Sequence, residues 1–397
     1  MTPDLQSLRF IAAADVYKGG HRAGRLERVN GSDTVFTYYP DYQGSGRPPI
    51  ATTLPLTMGA VTTSAGGLPP FFAGLLPEGH RLNVLKQAVK TSLDDELSLL
   101  LAVGADAPGD VQVVPEGAQP QEPEAVADVT DPSALDFEVL AEAVDLHALP
   151  GVQDKVSASM LSAPVATRSE RLILKLDPPN HPHLVRNESM HLAAARKLRI
   201  PVASATVVQD RNGRAGLMVE RFDRVRAENG WSCVALEDAA QVMGLAPSAK
   251  YGVTSEDVVR SLASICRAPA VAVRNLYLQF VFSWLTGNGD LHAKNVSALA
   301  APQGGFIIAP MYDVPCTLLY GDDTQALPVG GRTKRLRSSH WSAFAESIGL
   351  PERAALAANA LALKAAEMVD LSSLPFEGSP LNHAERELRY RRSELRV

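Results

Sequence analysis

Between residues 272 and 286 the chain carries Val273, Leu276, Tyr277, Phe280, Val281, Trp284 and Leu285 at helical spacing, and Gly287 follows at once. The pattern predicts a helix with a wide apolar face, stopped by a glycine that can take the left-handed conformation. Such a helix must be wrapped by other elements, so the chain has to build a large core around it. It also delivers Asn288-Gly289-Asp290 to a fixed place.

At 397 residues the chain exceeds what one core accommodates, and two or more subdomains are expected. Hydrophobic residues at 46% and charged residues at 21% belong to an ordinary folded protein. A net charge of −6 argues against a chain devoted to neutralising nucleic-acid phosphates. Gly, Pro or charge interrupts every apolar segment before membrane-spanning length, so no membrane contact is expected. Cys233, Cys266 and Cys316 form no CxxC pair, and that usage fits a reducing cytoplasm.

Residues 9–60 alternate short apolar and polar runs with turn clusters, which predicts antiparallel strands, the first of them at Phe10 to Ala14. Helical periodicity follows over 82–101, and Pro, Ala, Glu and Gly then dominate 106–132. The expected division is a β-rich subdomain over 1–110, a linker over 111–135, a mixed region over 136–225 and a mainly helical region over 226–397. In the third region, 171–176 reads as a strand with three leucines on one face and Lys175 on the other. A helix over 187–198, strands over 204–209 and 216–222, and a hairpin of 296–299 with 306–309 follow.

Phosphoryl transfer needs cations on the phosphates, oxygen ligands for Mg²⁺, and an acceptor that orients the attacking hydroxyl. Asp290 and Asn295 have the Asp-x4-Asn spacing of a protein-kinase catalytic loop, and Asp313 ends the hairpin that follows. Taken singly, Asp290 reads equally as a turn residue and Asn295 as a cap. Lys175 on a strand and Glu188 at a helix start match the ion pair that aims an amine at ATP. Alternatively they are a snorkelling lysine and a dipole partner.

The turn Pro150, Gly151, Val152, Gln153, Asp154, Lys155 offers backbone amides and an amine to a phosphate, although Pro150 has no N–H to give. Glu220, Arg221 and Phe222 fall where a strand would run into an adenine-binding hinge; the alternative is a charged edge strand. His292 lacks a His or Cys partner at metal spacing and reads as structural or phosphate-contacting. The basic stretches 332–337 and 386–392 read as solvated faces or as a contact for DNA or a partner.

These motifs resemble the HipA family of toxin kinases over nearly the whole chain. The resemblance is carried by Phe71-Phe72-Ala73-Gly74-Leu75-Leu76-Pro77-Glu78-Gly79, Gly151-Val152-Gln153-Asp154-Lys155, residues 219–224, residues 288–295 and Tyr312-Asp313-Val314. It implies an α+β fold, with a two-lobed protein-kinase-like core, an N-terminal β-rich subdomain and a mostly helical C-terminal lobe. It also implies a serine/threonine protein kinase that uses ATP and Mg²⁺ and phosphorylates an aminoacyl-tRNA synthetase. The expected partner is a helix-turn-helix antitoxin, through which any DNA contact would be indirect.

Carried over by position, Asp290 is the catalytic residue and Asn295 and Asp313 the metal ligands. Lys175, Glu188, residues 150–155, Glu220, Arg221, Phe222, His292, Ala293, Lys294, Asn295, Tyr312 and Asp313 form the ATP site. The autophosphorylated serine of well-known members is replaced by Ala148, leaving Ser157 and Ser159 as substitutes. Two other readings stay open: a small-molecule phosphotransferase, whose catalytic loop also looks like residues 288–292, and a pseudokinase that assists a DNA-binding partner.

Overall fold

A computed structural model of the chain describes residues 5–29, 32–121, 128–140, 160–167, 169–228 and 230–396. These form two compact units, one of residues 5–121 together with Asp223–Ser248, the other of residues 128–140, 160–222 and 249–396.

The first unit is built on an antiparallel sheet of β1 (Ala13–Lys18), β2 (His21–Val29), β3 (Asp33–Tyr38), β4 (Val61–Thr63) and β5 (Val111–Pro115), in the order β4-β3-β2-β1-β5. Helices α1 (Gly79–Val89) and α2 (Glu96–Val103) belong to the same unit. The expected first strand is corrected: Leu5–Phe10 is a 3-10 helix with Phe10 exposed, and the strand begins at Ala13. Residues 111–115 are likewise no linker. Their valines alternate well enough to pair with β1, Val113 opposite Val16, and Val111 and Val113 are buried.

Phe71, Phe72 and Ala73 are buried in this unit's core, with the Phe72 ring 5.2 Å from that of Phe36. A Cβ at Gly74 would meet Gln241 Cγ at 2.8 Å, so any side chain there would displace the buried Gln241 carboxamide. Residues 223–225 were expected with the region before them and 226–248 with the region that follows, yet 223–248 return to this unit, where their polar side chains are satisfied. The buried Arg224 guanidinium donates to Asp106 at 2.9 Å and to the carbonyls of Ala107 and Gly109. Glu237 accepts from both the N–H and the hydroxyl of Thr52, and Gln241 donates to the Phe71 carbonyl. The strands here are β10 (Arg224–Ala227), β11 (Gly230–Cys233) and β12 (Leu236–Asp238).

The second unit opens with β6 (Leu161–Ala166), β7 (Arg171–Leu176), β8 (Ala205–Gln209) and β9 (Ala215–Glu220), an antiparallel sheet in the order β6-β7-β9-β8. Leu172, Leu174 and Leu176 are buried and Ile173 and Lys175 are not fully so, as strand alternation requires. Helix α3 (Leu184–Ala195) starts three residues earlier than its sequence signals indicate, at Leu184 instead of Asn187, because Asp177 accepts the His183 and Val185 N–H groups. The helices α4 (Ser255–Ile265), α5 (Pro269–Thr286), α6 (Ser338–Ser347), α7 (Glu352–Ala366) and α8 (Ser379–Glu394) follow. The hairpin β13 (Ser297–Ala300) and β14 (Phe306–Ile308) lies between α5 and α6.

Helix α5 is buried on all sides from Leu276 to Thr286, and α4, α7 and α8 pack on it. Thr254 and Asp257 form a capping box that starts α4. Among the described residues no helix is long and apolar enough to cross a membrane.

Candidate active site

Gly287 ends α5 with φ of +77°, and a Cβ there would come within 2.5 Å of Leu318 Cδ1. Two arginines satisfy carbonyls at that helix end: Arg391 donates to Trp284 at 3.0 Å and Arg392 to Leu285 at 3.4 Å. This part of the basic tail is therefore structural. The loop beyond is tied at each step. The Asn288 side chain accepts the Asp290 N–H at 2.8 Å, the Gly289 N–H donates to Thr317 Oγ1 at 2.9 Å, and Asn295 Nδ2 donates to the Asp290 carbonyl at 2.9 Å.

Asp290 is buried, and its Oδ1 accepts the Tyr251 hydroxyl at 2.7 Å. His292 Nε2 lies 4.0 Å from the same oxygen, with its Nδ1 accepting the Lys294 N–H. Ala293 is buried and donates to the Lys250 carbonyl, while Tyr312 donates to the Lys294 carbonyl at 2.9 Å.

Lys175 from β7 reaches Glu188 on α3 at 2.7 Å and Asp313 at 3.0 Å. Burial alone would lower the ammonium's pKa, but the Asp313 and Glu188 carboxylates outweigh it and hold the pKa above the ordinary lysine value. Burial raises Glu188, against the pull of Lys175. Asp313 adopts φ of +55°, uncommon outside glycine, and its carbonyl accepts from Asn288 Nδ2 at 3.5 Å. The second unit thus brings Lys175, Glu188, Asn288 and Asp313 into one connected network, and Asn288 continues it to Asp290 and so to Asn295.

Asp313 and Asn295 offer hard oxygen donors, the kind Mg²⁺ takes in small number while keeping water and phosphate oxygens. The Asn295 Nδ2 bond to Asp290 turns its Oδ1 away from that carbonyl. Among the described residues no group of three or more His, Cys, Asp or Glu could hold a metal.

At the proposed hinge, the Phe222 ring lies 5.7 Å from that of Tyr312. The Glu220 N–H is committed to the Ser204 carbonyl and the Arg221 N–H to that of Arg171, so neither can donate to an adenine. Pro150, Gly151, Val152, Gln153, Asp154, Lys155, Ser157 and Ser159, with Ala148, lie outside the described residues.

Two residues that bear on this site carried no sequence signal for that role. Tyr251 stands far from Asp290 in sequence and in no periodic pattern. Asn187 read as a helix start, whereas its buried carboxamide accepts the Cys316 N–H at 2.8 Å and donates to the Cys316 carbonyl at 3.0 Å. It thereby ties the helix bearing Glu188 to the segment after Asp313.

A strand lysine paired to a helix carboxylate, with an Asp-x4-Asn loop behind a buried helix and an aspartate after a hairpin, defines an α+β fold of the protein-kinase kind. The HipA N-terminal domain model matches residues 14–114 and the HipA-like C-terminal domain model matches 147–369. The chain belongs to the HipA family. It is 28% identical over 370 residues to the serine/threonine-protein kinase toxin HipA of Shewanella oneidensis, covering 85% of this chain and 83% of that one. Y4mE of Sinorhizobium fredii, which carries a kinase name, is 29% identical over 371 residues, 86% of this chain and 87% of that protein. In the solved complex of Shewanella HipA with HipB and operator DNA, a chain that is 23% identical superposes with a TM-score of 0.77, covering 96% of both chains, and shares the fold.

Proposed function

We propose that this chain is a cytoplasmic serine/threonine protein kinase of toxin type, transferring the γ-phosphoryl group of ATP to a hydroxyl of a protein. The observation that carries the reading is the Lys175 ammonium held between Glu188 at 2.7 Å and Asp313 at 3.0 Å, in the unit that holds Asp290 and Asn295. In this reading Asp290 accepts the proton of the attacking hydroxyl and aims its oxygen. Lys175 contacts the ATP phosphates, with Glu188 keeping it in place. Asp313 and Asn295 would hold Mg²⁺, which neutralises phosphate charge when bound. His292, Ala293, Lys294, Tyr312 and residues 150–155 line the nucleotide, and Phe222 meets the adenine at the hinge.

The family supports an aminoacyl-tRNA synthetase as the substrate, with growth inhibition as the result. The relative solved with HipB and its operator supports a helix-turn-helix antitoxin partner, which would make any DNA contact indirect. The test is transfer of label from [γ-³²P]ATP with Mg²⁺ into lysate protein, compared with small metabolites and with Asp290→Ala. Labelled protein and a loss of about 10²–10⁴-fold in the variant are expected. Label confined to metabolites would instead establish a small-molecule phosphotransferase. An Asp290→Ala protein as toxic as wild type would establish a pseudokinase.

A further inference from the structure

Two neighbouring residues outside the motifs of the phosphotransfer site touch its catalytic loop three times. The Tyr251 hydroxyl donates to Asp290 Oδ1 at 2.7 Å, the Tyr251 ring stands edge-on to His292 at 4.9 Å, and the Lys250 carbonyl accepts the Ala293 N–H at 3.2 Å. The segment is held in place from behind, since Thr254 caps α4 and the Ser255 N–H donates to the Pro328 carbonyl. The phenol therefore sits on an anchored backbone.

We infer that Tyr251 is a positioning residue for the acceptor side of the reaction, its hydroxyl bond to Oδ1 setting the orientation in which the Asp290 carboxylate meets the incoming hydroxyl. This rests on the reading of Asp290 as the acceptor of that proton. A carboxylate on a short side chain turns freely about its last bond. With Asp290 buried, a hydrogen bond from a neutral donor to its charged oxygen is strong and directional. The Asn288 and Asn295 bonds fix the Asp290 backbone only. Tyr251 adds a hydroxyl bond to the side chain itself. His292 stands edge-on against the ring that carries the hydroxyl and braces it.

The test compares wild type, Tyr251→Phe and Asp290→Ala in label transfer to lysate protein, with Mg-ATP binding measured on the same preparations. Tyr251→Phe keeps the ring against His292 and removes only the oxygen. The expected result is kcat lowered about 10–100-fold, the worth of one hydrogen bond to a charged group, with KM for ATP and Mg-ATP affinity unchanged. Transfer equal to or faster than wild type would overturn the inference, and a faster rate would mean the phenol competes with the acceptor. Loss of Mg-ATP binding in Tyr251→Phe would also overturn it, by making the residue structural. If wild type itself transfers no label while binding Mg-ATP, the kinase reading has failed, and this inference with it.

Discussion

Replacing Lys175 by methionine leaves an uncharged side chain of similar length where one ammonium bridges two carboxylates. Side-chain exposures are 14% for Lys175, 1% for Glu188 and 18% for Asp313, so water screens the cluster weakly. Both carboxylates lie within 3.0 Å of the lysine nitrogen. Without it, two anions about 6 Å apart repel by roughly 3 kcal/mol at an effective dielectric near 20. Breaking a buried pair by removing one partner costs about 3–5 kcal/mol in all. A unit of 150–250 residues loses about 2–4 °C per kcal/mol, so thermal unfolding should come some 6–20 °C earlier. Folding would then favour protonated Glu188, already raised by burial, so the folded state binds more protons than the unfolded one. The variant's stability should therefore fall as pH rises through the carboxylate range. Millimolar Mg²⁺ should raise the variant's midpoint more than that of wild type, because a cation can bridge the carboxylates. Scanning fluorimetry at two pH values, with and without Mg²⁺, measures all three effects. A midpoint within about 2 °C of wild type, insensitive to Mg²⁺, would refute the view that Lys175 offsets the repulsion in this cluster.

Gly289→Ala would place a methyl 2.6 Å from the Thr324 carbonyl oxygen and 2.7 Å from Thr317 Oγ1. The loop should shift and label transfer fall by about tenfold or more, with the circular dichroism spectrum unchanged. Burial pushes His191 down to about 4, against hydrogen bonds at Asn187 and Thr286 that raise it. Below about pH 6.5 the unfolded chain takes up a proton that the fold refuses, so stability should decline on acidification from there toward pH 4. The loss approaches roughly 3 kcal/mol at full effect, and His191→Gln should flatten this part of the profile in urea titrations at pH 7.5 and 5.

The elements with strong periodicity were readable from sequence for a physical reason: burial on one face leaves a record at every turn or alternate residue. The leucines of β7 and the apolar face of α5 are such records, and Lys175 and Asp290 are placed by them. Residues 111–115 were obscured because Pro, Gly and Glu around them look like linker, while their pairing partner β1 lies far away in sequence. The return of residues 223–248 to the first unit depends on Arg224, Glu237 and Gln241 finding single polar partners, which leaves no periodic trace. The contacts of Tyr251 and Asn187 leave no periodic trace either, each acting through one side chain on a distant backbone or carboxylate. The Glu220 N–H pairs with the Ser204 carbonyl, a bond that no periodicity announces.

That return has a consequence for how the polypeptide is made. A ribosome releasing residues 5–121 has not yet supplied the guanidinium for Asp106, the carboxylate for Thr52 or the carboxamide for the Phe71 carbonyl. The β-rich half must wait, incomplete, while the sheet bearing Lys175 emerges. Truncation anywhere before Gln241 yields a fragment with unfilled polar partners, so the shortest piece worth expressing for the amino-terminal half already contains much of the other.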